Sequence, residues 1–144
     1  IAEFNIRLAR ETESKALEPE RVRGGVEALI NDPAKGFYFV AEADGEVAGQ
    51  ICVTFEWSDW RNGNFWWIQS VYVLAEQRGK GIFTALFQHV EKLARDRQDV
   101  CGLRLYVEQE NHRAQQVYEK LGLGLAPYHV REIDFVLAPG DPKH

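Results

Sequence analysis

The chain contains no methionine, only two cysteines, and 17 lysines and arginines against 22 aspartates and glutamates. The missing methionine, together with a first residue Ile1, predicts that the natural chain has residues ahead of this one. Cys52 and Cys101 sit singly in apolar runs without C-x-x-C spacing. That excludes a disulfide framework and a zinc ribbon, and predicts buried free thiols in a reducing compartment. His89, His112, His129 and His144 have no metal-ligand spacing, so no metal is expected. The net charge of -5 argues against a nucleic-acid backbone or an anionic membrane as partner and suits a cationic substrate. No apolar run reaches the roughly 20 residues of a membrane span, and no signal peptide is visible, so a cytoplasmic location is expected.

What is present is enough for one domain. A chain of 144 residues buries about two thirds of its unfolded surface without a staple. The domain is expected over residues 1–137, with a frayed tail at 138–144 carrying Pro139, Gly140 and Pro142.

Ile1, Phe4 and Leu8 recur at helical spacing, which predicts a helix over 1–13. Pro19 suits the first position of a second helix ending at Ile30, before Asn31-Asp32-Pro33. Residues 36–43 and 46–57 are β-rich and flank Asp44-Gly45, a hairpin signal. A third strand is expected over 66–73, a helix over 79–97, a buried fourth strand over 100–107, and a helix capped by Asn111 and ended by Gly122. A last strand is expected over 128–136. The order is ααβββαβαβ, a mixed, mostly antiparallel sheet flanked by helices.

The stretch from Trp66 to Phe87, WWIQSVYVLAEQRGKGIFTALF, organises the rest. A strand feeds Arg78-Gly79-Lys80-Gly81, which opens a helix. The first turn of a helix offers backbone N–H groups and partial positive charge to an anion, and glycines let phosphate oxygens approach. Arg78 and Lys80 add charge. A P-loop would need four residues between its glycines, and a dinucleotide fingerprint would need three glycines. Neither fits.

The loop does resemble the Q/R-x-x-G-x-G/A acyl-CoA loop of the GNAT superfamily of N-acetyltransferases, with Arg78 first, Gly81 fourth, and Phe83 departing from the usual small sixth residue. The run LRLYVEQENHRAQQVYEKLGL, 103–123, is similar to the family's second signature: a strand, then Asn111, Ala114, Tyr118, Leu121 and Gly122. The resemblance implies the GNAT fold, with a parallel strand pair splayed to admit acetyl-CoA and with the family's first strand missing here.

It also implies roles. Val71 and Val73 would pair with the pantetheine through main-chain groups, and an N–H on that strand would polarise the thioester. Gly79, Lys80, Gly81, Ile82, Phe83 and Thr84 would receive the diphosphate alongside Arg78. Asn111 would bind the cofactor, and Tyr118 would protonate the departing thiolate. The acceptor must be a neutral amine, yet an alkylamine with a pKa of roughly 10 is only about one part in a thousand neutral at pH 7. Spermidine/spermine-type relatives, the closest in pattern, place a glutamate on the strand 66–73, where Trp67 and Gln69 stand here. Gln69 would then hold the amine or a water, and the proton would leave toward Glu56, Asp59 or Glu108.

Trp57, Trp60, Trp66 and Trp67 crowd into FEWSDWRNGNFWW. Such density implies a substrate wall of aromatic faces and carboxylates, a homodimer contact, or both. Direct transfer from acetyl-CoA to a small primary amine is the expected activity. The alternatives are acetylation of a protein lysine or N-terminus, and a silent acyl-CoA-binding module.

Overall fold

The computed structural model describes residues 1–137, in two compact units: residues 1–111 and a second beginning at His112. The first opens with helices α1 (Ala2–Glu13) and α2 (Pro19–Ile30). Strands β1 (Gly36–Ala43), β2 (Glu46–Ser58) and β3 (Gly63–Val73) follow, then a 3₁₀ turn (Ala75–Gln77), α3 (Ile82–Arg95) and β4 (Val100–Leu105). The second unit holds α4 (His112–Lys120), closed at Gly122 with φ 94°.

The sheet runs β1-β2-β3-β4, antiparallel except for the parallel pair β3 and β4. Its two faces differ in chemistry because alternate residues point oppositely. One face carries Phe37, Phe39, Ile51, Val53, Trp66 and Ile68 against α3, whose Leu86, Phe87, Val90 and Ala94 are buried. Phe37 meets Trp66 edge-on at 5.1 Å, and Phe39 meets His89 of α3 at 4.7 Å. Ile51, Val53, Phe87 and Val90 are sealed from solvent, so this layer is the core. The other face carries Tyr38, Gln50, Cys52 and Tyr72 beneath α1, where Phe4 packs on Tyr72 at 5.1 Å.

One local irregularity shapes everything at the far end of β3. Gln50 pairs with Tyr72 but Cys52 pairs with Gln69, so Ile51 faces two residues, Ser70 and Val71. Ser70 takes φ 49°, a left-handed turn of the backbone. This is a β-bulge, which bends its strand and interrupts pairing. The ladder with β4 ends at Ile68 opposite Leu105, so β3 runs on from Gln69 to Val73 without a β4 partner.

Several boundaries differ from expectation. The third strand begins at Gly63 rather than 66, because the Asn64 N–H donates to the Asp99 carbonyl at 2.8 Å and draws three more residues into the ladder. The third helix begins at Ile82 rather than 79, because Gly79 and Gly81 both take positive φ. The strand expected over 128–136 is absent: no ladder forms there among the described residues, and Tyr128, Val130, Ile133 and Phe135 are exposed. Alternation supplies a strand's pattern, but only a partner makes it a strand. The tail expected at 138–144 lies outside the described residues.

Candidate functional site

The glycine loop is built by main-chain conformation. Gly79 (φ 80°) and Gly81 (φ 82°) are left-handed, and a Cβ on either would meet nothing within 4 Å. Glycine is needed there for its backbone freedom, and the space above the loop is open. Gly81 is the N-cap of α3 and brings no capping side chain to its first turn. Gly49 of β2 lets that turn sit low, since a Cβ there would lie 3.0 Å from the Ile82 side chain. A helix start without a side-chain cap, flanked by Lys80, suits a diphosphate.

Arg78 is differently occupied. Its Nε donates to the Val73 carbonyl at 2.8 Å, its NH2 pairs with Glu11 of α1 at 2.8 Å, and its guanidinium lies 5.3 Å from the Tyr72 ring centroid. Lys80 Nζ donates to Gln77 Oε1 at 3.3 Å. Beside the loop, Val71 and the N–H of Val73 lie on the stretch of β3 that β4 leaves unpaired, while the Val73 carbonyl is already taken by Arg78.

The face of the sheet opposite α3 gathers another group. Gln69 donates through Nε2 to the Thr54 hydroxyl. Glu56 accepts at one oxygen, Oε1, from Trp67 Nε1 at 3.0 Å and from Arg104 at 2.8 Å. Arg104 reaches β2 by lying 3.7 Å over the Phe65 ring, and Trp67 stacks on Tyr106 at 4.4 Å. Glu56, Trp67 and Gln69 are thus brought together. Trp57 pairs with Asn64 on the other face and is exposed, Asp59 and Trp60 lie in the β2–β3 turn with Trp60 85% exposed, and Trp66 is core. Arg104, Thr54 and Tyr106 carried no local signal in the sequence, because their roles arise only once three strands lie side by side.

Under α1 the face is more deeply buried. Gln50, with no exposed surface, donates from Nε2 to Asn5 Oδ1 at 2.6 Å and to the bulged Ser70 carbonyl at 2.8 Å. A cavity of about 310 Å³ lies among α1, α2 and β1 and ends at the bulge, with Leu8, Val22 and Val26 on its apolar wall and Asn5, Tyr38 and Ser70 on its polar one. Burial pushes the Cys52 thiol up to about 11 and the Tyr38 phenol up to about 12.

The remaining expected residues follow β4. Glu108 and Asn111 are exposed, the Asn111 N–H donating to the Glu108 carbonyl at 3.0 Å, and Asn111 immediately precedes α4. Tyr118, on α4 in the second unit, is partly buried, and burial raises its phenol above the ordinary value. No group of three or more His, Cys, Asp or Glu able to hold a metal ion occurs among the described residues. None of the described helices is long and apolar enough to cross a membrane.

A strand whose parallel partner stops short, followed by a glycine loop at a helix start, defines an acyl-CoA-dependent N-acetyltransferase. The chain belongs to the acetyltransferase (GNAT) family, whose profile matches residues 4–123. It is 46% identical to a possible acetyltransferase from Clostridium difficile 630 of known structure, with a TM-score of 0.87 over 94% of this chain and 89% of that one. It is 33% identical to thialysine N-epsilon-acetyltransferase from Bos taurus, over 81% of this chain and 75% of that one. An N-alpha-acetyltransferase from Sulfurisphaera tokodaii is 34% identical over 59% of this chain and 54% of its own length.

Proposed function

We propose that this enzyme transfers the acetyl group of acetyl-CoA to a primary amine of a small molecule, both substrates being bound together, in the manner of the spermidine/spermine-type acetyltransferases. The observation that carries the acceptor class is the cavity ending at Ser70. Its 310 Å³ falls at the small end of the range for ligand pockets, about 300–1,000 Å³. Its apolar wall and few polar groups suit an aliphatic amine. The relative named for thialysine, a small amine, supports the same reading.

The family's cosubstrate fits the residues present: an open glycine cradle, a helix start without a side-chain cap, and a length of β3 without a β4 partner. Acetyl-CoA supplies an activated acyl thioester. The main chain from Gly79 to Thr84, including Ile82 and Phe83, holds the diphosphate with Lys80, and Arg78 braces the loop. Val71 and the N–H of Val73 align the pantetheine as an added strand would. Asn111 hydrogen-bonds the cofactor. Tyr118 keeps its proton at neutral pH because burial favours the uncharged phenol, which suits it to protonate the departing thiolate.

Gln69, steadied by Thr54, orients the amine or a water. Among the carboxylates, Glu56 shares a sheet face with Gln69, which supports it over Asp59 and Glu108 as the destination of the amine's proton. Cys52 stays protonated at about pKa 11, which supports direct attack over a covalent acyl-cysteine. The exposed Trp57 and Trp60 suit contact with a second copy, giving a cytoplasmic homodimer. The profile match, residues 4–123, covers most of the first unit and enters the second, which supports reading residues 1–137 as one working domain.

A panel of diamines, amino acids with side-chain amines, and N-terminal peptides, followed by thiol release, tests the reading. Small amines are expected to be turned over at least tenfold more efficiently than any peptide. Turnover of peptides alone would replace this reading with the one the N-alpha-acetyltransferase relative favours.

A further inference from the structure

Two long-range bonds converge on one carboxylate of α1. Glu11 Oε2 accepts from the Tyr72 hydroxyl at 2.6 Å, and Glu11 Oε1 accepts from Arg78 at 2.8 Å. The partners lie 61 and 67 residues away in the chain. Tyr72 stands just past the bulge and is 5% exposed. Arg78 is the residue before the first loop glycine, and its Nε also holds the Val73 carbonyl. Both oxygens of Glu11 are therefore spent on the stretch that links the unpaired end of β3 to the glycine loop.

We propose that Glu11 is a positioning residue for the cofactor loop: by tying Tyr72 and Arg78 to α1, it fixes where the amides of residues 79–84 point. The proposal rests on the acyl-CoA reading above and adds a residue outside the loop itself. The physical argument is one of restraint. Two left-handed glycines, Gly79 and Gly81 on either side of Lys80, give the loop a large conformational freedom, which binding would otherwise have to remove. The loop's N-terminal hinge, Val73 to Arg78, gains an external anchor, which the glycines cannot supply because they have no side chains and Gly81 caps α3 without a side-chain bond. Glu11 is that anchor, and its bonds are charge-assisted, the stronger kind. Its carboxyl is accordingly held below the ordinary range, first by the Tyr72 hydroxyl and then by Arg78. The same helix lines the cavity through Leu8 and Ala9, so the anchor fixes the loop relative to the wall of the acceptor pocket.

The test compares the intact wild-type chain, Glu11→Gln and Glu20→Gln, the last removing an exposed ion pair to Arg23 on α2. Backbone amide hydrogen exchange is followed without any ligand, and coenzyme A binding is measured by calorimetry. In Glu11→Gln, exchange over residues 74–84 is expected to rise about tenfold while α2 and β1 stay unchanged, and coenzyme A is expected to bind about tenfold more weakly. Glu20→Gln is expected to match wild type in loop exchange and in coenzyme A binding. Unchanged loop exchange, an increase spread evenly over the chain, or coenzyme A binding equal to wild type would each overturn the role given to Glu11. If wild type itself bound no coenzyme A, the cofactor reading would fall and the positioning role with it, whereas normal wild-type binding with a silent loop would remove Glu11 alone.

Discussion

Cys52 and Tyr38 face one another across the β1–β2 ladder, and burial favours the uncharged form of both. A thiol with a pKa near 11 has only about one thiolate in ten thousand molecules at pH 7. Cys52 is therefore expected to resist iodoacetamide in the folded enzyme at neutral pH and to react at once when the chain is denatured, as read by mass spectrometry. Tyr118 raises the opposite issue, because the role proposed for it needs a retained proton. Tyr118→Phe removes the donor without removing the ring, so kcat in a thiol-release assay is expected to fall about a hundredfold with little change in KM for acetyl-CoA. Gln69→Ala would leave the Thr54 hydroxyl without its donor, and KM for the amine is expected to rise while coenzyme A affinity holds.

At the scale of the element, the glycine loop and α3 depend on a backbone that other residues avoid. Gly81→Ala places a Cβ in a left-handed N-cap, at a cost of about 1–2 kcal/mol. A thermal melt a few degrees lower and weaker coenzyme A binding are the expected outcomes. Much of this architecture was legible beforehand, for reasons that can be named. Pro19 and Asn31-Asp32-Pro33 bracket α2 with local chemistry, and Asp44-Gly45 fixes the β1–β2 hairpin, so those boundaries follow from adjacent residues. The glycine loop was equally visible.

What escaped is nonlocal. The start of β3 at Gly63 is set by Asp99, 35 positions from its partner Asn64. Residues 128–136 have the alternation of a strand without a ladder to make them one. The Glu11 anchor and the Arg104 reach across Phe65 to Glu56 exist only after distant segments meet. Arg78 reads as a phosphate cation from its place in the loop, and its bond to Glu11 of α1, made alongside that to the Val73 carbonyl, is of the same nonlocal kind.

For the molecule as a whole, protonation sets the limits of stability on both sides. The carboxyls of Glu11, Asp32 and Asp99 are held below their ordinary values, the first by Tyr72, the second by the Ala34 N–H, the third by Arg97. A depressed folded value contributes stability that is present above the unfolded value and is lost as pH falls through the folded one. The melting temperature is thus expected to hold at mild acidity and to decline once pH drops below about 4. Cys52 and Tyr38 have raised values, whose contribution is present below the unfolded value and is lost as pH climbs to the folded one. Melts followed by circular dichroism are expected to fall from about pH 9 onward, continuing to about 12.

Ser70 carries a consequence of a different kind. Pleated strands are read two residues at a time, and the bulge is a one-letter insertion in that reading frame: Gln69 and Tyr72, three apart, come out on the same side. Deleting Ser70 would leave Gln69 and Tyr72 two apart and still on one side, so what the extra residue supplies is the bend and not the facing of the side chains. Tyr72 would stay opposite Gln50, beneath Phe4 and within reach of Glu11, while β3 would lose its bulge. The single inserted residue thus falls two positions past Ile68, where the ladder with β4 stops, and marks the point at which this strand departs from a regular sheet.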